Sequence, residues 1–511
     1  MSGQGTEPEA MKIVLVGHMG AGKTTAVKAL GGVDVDELIE SREQRTVAEI
    51  FAADGEGAFR DLEERVTLEL LADPSVQAVA LGGGALASRR TRAALTAARV
   101  VWLDVDADEA WRRVARSPTR PLARDERRFR ALHAERQEQY AQAADAIVPA
   151  SHVRRLAAPI AALEGMPAGA KLIWAVTASA DYPAYIGDGL ITDQRFWPAT
   201  IAGRRVLVSD RNAAAHYGAL FEPVLTDVRI APGEQSKTLA QAEVIWREMA
   251  RAGVTRTDVT VALGGGVVGD LAGFCAATYQ RGMPVVQVPT TLVAQVDSAY
   301  GGKTGVDIPE AKNYVGSFHQ PAAVIADTTT LGTLPPAELA AGYAEVVKTG
   351  LIAGGWLWRR IAAGAAPDDP DVIAGCALTK LRIVAQDELD TGVRQLLNVG
   401  HTVAHAVETV TGYARYRHGE AVALGLLAEL RLAGADALRQ QVLELLEQVG
   451  LPVTLAADVD VEQVLLATTR DKKRVGEGPV PFALCMEPGR ALTGQPVAPA
   501  ELRAAITELV G

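Results

Sequence analysis

Gly17-His-Met-Gly-Ala-Gly-Lys23-Thr24 follows directly on a short apolar run, Met11 to Val16, and precedes a segment of helical period. Glycines at 17, 20 and 22 let the backbone curl until its N–H groups converge on an anion. The lysine and hydroxyl that close the curl add a cation and a metal-ligating oxygen. Such a turn works between a strand and a helix, so it dictates an α/β unit. Further apolar runs at Val76–Leu81 and Val100–Val105, separated by helical segments, extend that unit into a parallel sheet. The loop implies a nucleoside triphosphate on Gly20, Gly22, Lys23, Thr24 and Thr25, with Thr24 able to ligate Mg²⁺, but it does not name the acceptor.

The acceptor must be read from residues downstream of the loop. Asp34-Val-Asp36 would place two carboxylates on one side of an extended segment, one for a hydrated Mg²⁺ and one to take a proton from a hydroxyl. The plain alternative for this pair is a helix N-cap. Gly57-Ala-Phe-Arg60 with Glu63, Gly82-Gly83-Gly84 and Arg120-Pro-Leu122 come next. Between Arg112 and Arg136 stand nine arginines against three acidic residues, which suits a lid that screens phosphate charge and equally suits a solvated helical face. Together with Arg136 in R-x-x-x-Y, these motifs resemble shikimate kinase over roughly residues 11–165. The resemblance implies that Asp36, Arg60, Gly83 and Arg136 grip shikimate, with Asp36 nearest the 3-hydroxyl. It also implies Asp34 in the Mg²⁺ shell and Arg120 on the transferred phosphoryl group. One departure stands out: Lys23 and Asp34 are only eleven positions apart. The helix from Thr24 is therefore expected to be one to two turns short, about 9 Å for six residues.

A chain of 511 residues exceeds what one core serves. Glu164-Gly-Met-Pro-Ala-Gly-Ala170 reads as a linker, after which strands are expected at Leu172–Val176, Arg205–Val208, Val259–Leu263, Val285–Val288 and Ala323–Ala326. From about Pro335 the pattern turns to nearly continuous helix. The expected plan is an α/β P-loop kinase domain (11–165), a Rossmann-like α/β domain (171–334) and an all-helical domain (335–511).

In the second part, Val259–Leu263 runs into Gly264-Gly-Gly-Val-Val-Gly269-Asp270, a G-x-G-x-x-G turn between an expected strand and helix. That pattern alone is weak, and no clean acidic residue follows some 20 positions on. Pro289-Thr-Thr-Leu292, Gln295-Val-Asp297, Gly301-Gly-Lys303 and Lys312-Asn313 surround it with cations and hydroxyls suited to a cofactor phosphate and an anionic substrate. His401 and His405 share one helical face, His418 follows, and Glu345 lies on another helix. Two imidazoles and one carboxylate leave a fourth position open, as in catalytic zinc sites.

From about residue 170 to 511 the chain resembles 3-dehydroquinate synthase, through Pro232-Gly-Glu-Gln-Ser-Lys237, GGGVVGDLAGF, RGxxxxQxPTTL, QVDSxxGGKTGV, AEVVKTG, RxLLNxGHTxxHAxE, HGE and Asp471-Lys-Lys473. The resemblance implies zinc (or Co²⁺) on Glu345, His401 and His418, with His405 as a proton-transfer residue. It implies NAD⁺ on Asp210, Glu234, Lys237, Gly265, Gly266, Gly269, Asp270, Thr290, Thr291, Thr330 and Thr333. It places the substrate on Asp297, Lys303, Lys312, Asn313, Lys348, Lys380, Arg394, Asn398 and one of Lys472 or Lys473. Ser236 and Ala299 stand where tyrosine and serine are expected. A homodimer through this part is also implied.

The two resemblances imply two steps of aromatic amino-acid biosynthesis, fed by ATP, shikimate and a heptulosonate phosphate. The competing readings are a nucleotide-binding P-loop module without turnover, and a related sugar-phosphate cyclase or polyol dehydrogenase. A net charge of −11 argues against nucleic acid as a partner. The uncharged stretch from Arg281 to Asp297 is broken by Pro284 and Pro289 and falls short of the about 20 residues a bilayer needs. The N-terminal residues carry no pattern of a secretory signal. Three scattered cysteines, Cys275, Cys376 and Cys485, fit buried thiols in a reducing cytoplasm.

Overall fold

The computed structural model describes residues 11–115, 125–468 and 481–510. The chain forms two compact units, residues 1–175 and 176–511. The first carries β1 (Ile13–Val16), β2 (Val33–Asp34), β3 (Ala78–Ala80), β4 (Arg99–Asp104), β5 (Ala146–Pro149) and β6 (Lys171–Val176). All pair in parallel, in the order β2-β3-β1-β4-β5-β6. Val14, Leu15, Val79, Leu103 and Val148 are fully buried. Burial on both faces is why these strands read as unbroken apolar runs. The loop after β1 needs its glycines. Gly20 and Gly22 have φ of 87° and 89°, and a Cβ on Gly17 would lie 2.7 Å from the carbonyl oxygen of Leu103.

The second unit opens with β7 (Asp181–Gly187), β8 (Arg205–Asp210), β9 (Thr226–Ile230), β10 (Val259–Gly264) and β11 (Val285–Pro289). A hairpin, β12 (Lys303–Ile308) and β13 (Ala311–Phe318), precedes β14 (Ala323–Asp327). The parallel sheet runs β7-β14-β11-β10-β8-β9. Ile245 and Met249 from the helix Leu239–Arg251, and Leu271 and Cys275 from the helix Gly266–Thr278, bury against Val206 and Val208. Cys376 and Cys485 are buried free thiols like Cys275. β7 and β9 had no expected counterpart. Pro183 sits inside β7, which argues against a strand, and β9 alternates between exposed and buried positions.

The expectation of helix throughout the C-terminal part needs one correction. β15 (Pro481–Glu487) and β16 (Arg490–Pro496) form an antiparallel hairpin. Phe482-Ala-Leu-Cys485 is too short a run for periodicity to separate strand from helix, and the Pro488-Gly489 turn was the overlooked signal. The hairpin tip closes the end of the helix Pro336–Ala353, where the Gly489 N–H donates to the Leu351 carbonyl at 2.8 Å.

Three helices of this part carry the carboxylate and imidazoles singled out above: Pro336–Ala353, His401–Val410 and His418–Leu432. The third packs backbone to backbone against the other two. A Cβ on Gly419 would fall on the carbonyl oxygen of Ala341, and one on Gly425 on that of Gly400. Glu429, on the same helix, accepts the Gly400 N–H at 2.6 Å and so pins the start of the helix that begins with His401. Gly419→Ala and Gly425→Ala are expected to destabilise the second unit by about 1–3 kcal/mol in a urea titration, outweighing the gain in helix propensity. Gly332→Ala, with no heavy atom within 4 Å of its Cβ position, should leave the urea midpoint unchanged.

Candidate active sites

In the first unit the helix after the phosphate loop is indeed short, Lys23–Ala29. The chain then turns through Gly31-Gly32 and reaches β2 at once, so Asp34 still arrives beside the loop: Thr24 Oγ1 donates to Asp34 Oδ2 at 2.6 Å. Lys23 Nζ folds back over the loop onto the Gly17 carbonyl at 2.7 Å. The Asp34–Asp36 pair is not extended as expected. Strand geometry ends at Asp34, which caps the helix Val35–Glu43 by accepting the Asp36 N–H at 3.0 Å and the Glu37 N–H at 3.4 Å. Asp34 therefore both caps the helix and faces Thr24, and Asp36 starts from the first helical turn.

The Gly82–Gly84 turn is the floor on which the other residues converge. A Cβ on Gly82 would stand 3.0 Å from Asp36 Oδ1, one on Gly83 3.2 Å from Arg136 Nη1, and one on Gly84 2.7 Å from Arg60 Nη1. Any side chain in this turn would displace the groups expected to hold the acceptor. Arg60 donates to the buried Glu63 at 2.6 Å, and Arg136 is itself buried. Tyr140, whose phenol burial pushes up to about 12, donates to the Gly83 carbonyl at 2.6 Å and locks the turn. His18 in the loop meets Phe129 and His133 edge-on at 4.7 and 4.9 Å, a packing that no sequence signal announced. Gly20 and Gly22 lie in the loop, and Thr25 is exposed on the first helical turn after it. Arg120 lies outside the described residues.

In the second unit a cleft of about 1330 Å³ opens at the carboxyl ends of β8, β10 and β11, where ligands bind in open parallel sheets. It is lined by Asp210, Glu234, Lys237, Gly265, Gly266, Asp270, Thr290, Thr291 and Thr333, by Asp297, Lys312 and Asn313, and by Glu345, His405 and His418. Asp210 caps the helix Arg211–Tyr217, and Gly264, at φ 157°, leaves room for its Oδ2. Lys237 gathers one polar knot, with Glu234 and Asn313 Oδ1 each at 2.8 Å and Asp270 at 3.4 Å. Burial opposes the ammonium charge on Lys237, but Asp270 and Glu234 outweigh it and raise its pKa. Burial pushes Asp270 up to about 6. Lys312 stands 4.0 Å over the Tyr413 ring, an aromatic partner the motifs did not indicate.

Asp297 sits on a π-helical turn, Ala294–Ser298, between two lysines. Lys348 Nζ lies 3.2 Å from its carboxylate and 2.5 Å from Glu345, and Lys380 bonds its carboxylate and, at 2.6 Å, its carbonyl. Burial disfavours the charge on Lys348, yet Asp297 and Glu345 keep it protonated. Lys380 is driven by burial down to about 8.

Among the described residues, Glu345, His401 and His418 each offer a ligand atom, all within 4.8 Å of one another. His401 Nε2 and His418 Nε2 lie 3.4 and 3.3 Å from Glu345 Oε1. Burial disfavours the Glu345 carboxylate, but Lys348 and His401 hold it ionised, the form a cation needs. Burial lowers His401, whereas His418, opposed by burial, is held up to about 10 by its bonds to Glu345 and Glu408, a proton that a bound cation displaces. The donor set fits a four-coordinate cation with one open position. His405 stands beside it, its ring centre 5.4 Å from that of His401.

Other expected residues stand apart from the cleft lining. Gly269 lies under Gln287, which donates to its carbonyl at 3.2 Å. Thr330 is buried, accepting from Gln295 at 3.1 Å and donating to the Asp327 carbonyl at 2.7 Å. Arg394 is buried and bonds the carbonyls of Gly301 and Glu388 at 3.0 and 2.5 Å. Lys303 is exposed and pairs with Asp390 at 2.6 Å. Asn398 ends the turn Val393–Asn398 just before His401. Lys472 and Lys473 lie outside the described residues.

Residues 19–161 match the family model for "Shikimate kinase". Residues 227–341 and 342–474 match "3-dehydroquinate synthase N-terminal" and "3-dehydroquinate synthase C-terminal". The 3-dehydroquinate synthase of Symbiobacterium thermophilum is 42% identical over 347 residues, covering 63% of this chain and 96% of its own. That of Halorhodospira halophila is 41% identical over 353 residues, covering 66% and 99%. A 2-epi-5-epi-valiolone synthase from Streptomyces hygroscopicus, solved with NAD⁺ and Zn²⁺ bound, superposes with a TM-score of 0.58 at 26% identity, over 66% of this chain and 99% of its own. A 2-deoxy-scyllo-inosose synthase shares the fold at 24% identity and a TM-score of 0.59, over 66% and 100%. Identity over nearly the whole length of the dehydroquinate synthases exceeds that to either of these two structures, and the chain accordingly belongs to the 3-dehydroquinate synthase family, with a shikimate kinase domain ahead of its synthase unit.

Proposed function

We propose that the synthase unit uses NAD⁺ and one divalent cation, Zn²⁺ or Co²⁺, to convert 3-deoxy-D-arabino-heptulosonate 7-phosphate into 3-dehydroquinate and phosphate, and that the kinase unit phosphorylates the shikimate 3-hydroxyl with Mg²⁺-ATP. The observation that carries the first reading is the junction of the Glu345–His401–His418 cluster with the Lys348–Asp297–Lys380 triad through Lys348 and Glu345, with Asp297, Glu345 and His418 facing one cleft. When bound, the cation would polarise the C5 hydroxyl while the nicotinamide takes up and returns a hydride at that carbon. Asp210, Glu234, Lys237, Asp270, Thr290, Thr291 and Thr333, with the Gly265–Gly269 turn, are assigned to the dinucleotide. Thr330, buried on the turn that also carries Thr333, is assigned with it. Asp297, Lys312, Asn313, Lys348, Lys380, Arg394 and Asn398 are assigned to the substrate, together with Lys303 and one of Lys472 or Lys473. Their ammonium and guanidinium groups would hold phosphate and carboxylate charge, and Lys348, Lys380 and Arg394 are themselves buried, where such contacts are strongest. His405 Nε2 or Nδ1 would carry the proton at the reacting end.

In the kinase unit Lys23 and Arg120 would hold the transferred phosphoryl group, and Gly20, Gly22 and Thr25 the rest of the nucleotide. Thr24 and Asp34, already bonded to each other, are assigned to the Mg²⁺ shell. Asp36 would accept the hydroxyl proton, and Arg60 and Arg136 would fork onto the carboxylate above Gly83. The functional division is placed at 11–165, 171–334 and 335–511. A homodimer through the synthase unit, and a cytoplasmic location, are proposed from the family resemblance. No helix of the described residues is long and apolar enough to cross a membrane.

Phosphate release is expected to run to completion with substoichiometric NAD⁺, and to stop on chelation of the cation or in Glu345→Gln, while shikimate-dependent ADP formation in Mg²⁺ persists. Stoichiometric consumption of NAD⁺ would instead mark a dehydrogenase. Because Lys380 is held near 8 and must be protonated to bind an anion, synthase kcat/KM should fall as pH rises through about 8. Lys380→Arg should move that limb to higher pH. For the kinase, Asp36→Asn is expected to lower kcat by about 10²–10⁴ with little change in ATP affinity. Nucleotide binding by the intact chain without any shikimate turnover would leave only the regulatory-module reading.

A further inference from the structure

We propose that Glu408 is a positioning residue for the cation centre: it accepts the Nδ1–H of His418, fixes the tautomer that turns Nε2 toward Glu345, and thereby sets how tightly the centre holds its cation. This inference rests on the cation-dependent reading of the synthase given above.

Glu408 lies on the helix His401–Val410, seven residues after His401 and three after His405, so all three share one face. The chain then turns back and starts the next helix at His418, whose Nδ1 meets Glu408 Oε1 at 3.3 Å. The opposite nitrogen of that ring lies 3.3 Å from Glu345 Oε1. The Glu408 side chain is 8% exposed while the His418 side chain is 40% exposed. His418 is thus the open member of the cluster, and Glu408 is the more deeply buried group at its other nitrogen. The neutral imidazole has one donor and one acceptor nitrogen. A carboxylate that claims the donor leaves the other nitrogen as a lone pair, holds the ring plane and raises its basicity. His401 receives the same service from a backbone group, its Nδ1 lying 3.2 Å from the Val399 carbonyl. The two imidazoles therefore differ: one is oriented by main chain that no substitution removes, the other by a side chain.

The test compares the full-length chain with Glu408→Ala and Glu408→Gln. Zn²⁺ affinity is read by competition with a chromophoric chelator, the site by the visible spectrum of the Co²⁺ form, and folding by thermal unfolding of the cation-free protein. Glu408→Ala is expected to weaken Zn²⁺ about 10–100-fold and alter the Co²⁺ spectrum, with cation-free unfolding little changed. Glu408→Gln keeps an acceptor oxygen without the charge and should fall between Ala and wild type. Wild-type affinity in Glu408→Ala, including the case where only cation-free stability drops, overturns the proposal and makes the pair a helix–helix contact. If Glu408→Ala does not fold, Glu408→Gln decides alone, and wild-type affinity there overturns the proposal. A wild-type chain that binds neither Zn²⁺ nor Co²⁺, or a Glu345→Gln variant that binds them unimpaired, would sink the cation-dependent reading itself, whatever Glu408 does.

Discussion

Asp297 is a half-buried carboxylate at the cleft wall, held between two buried ammonium groups, and the synthase unit is organised around it. Its turn leaves the end of β11, in the sheet half of the unit, while Lys348 and Lys380 belong to two helices of the other half. Removing one partner of such a cluster leaves charge stranded in low dielectric, which costs about 3–5 kcal/mol. The cluster therefore couples the π-helical turn that follows β11 to the helix that also presents Glu345, three residues before Lys348. One contact with two duties results: it joins the halves, and it holds in place the cations assigned to the substrate.

Close backbone approach is the second constraint, and both units use it in the same way. In the synthase, Gly419 and Gly425 let three helices approach until side chains from each meet at one point. In the kinase, Gly82–Gly84 removes three side chains so that Asp36, Arg136 and Arg60 can stand over one turn. Glycine here supplies vacant volume more than unusual torsion, since neither Gly419 nor Gly425 is among the glycines of positive φ.

What was legible in the sequence was chemistry held in short motifs. The phosphate loop fell between a strand and a helix, the triple glycine after a strand, and His401 and His405 on one helix, where strand–turn–helix logic put them. What was not legible was the partner each side chain takes. Asp34 reads equally as a metal ligand or a cap, because both need a carboxylate at the same place. Lys303 pairs with Asp390, and Thr330 spends its hydroxyl on its neighbour Asp327 and on Gln295; the Asp390 and Gln295 contacts join residues far apart in sequence. The β15–β16 hairpin was missed for a different reason: four apolar residues carry no period.

The short helix after the phosphate loop bears on how such domains can vary. Asp34 is located by β2, whose register against β3 sets Val33 opposite Val79 and Asp34 opposite Ala80. The sheet, and not the number of helical turns, is thus the ruler that measures the distance from Lys23 to the acidic residue. The helix is a spacer whose length is free as long as the chain returns to that rung. Loss or gain of a turn there leaves the reactive end unmoved and alters only the outer surface, so this is a place where related chains can differ in length without differing in chemistry.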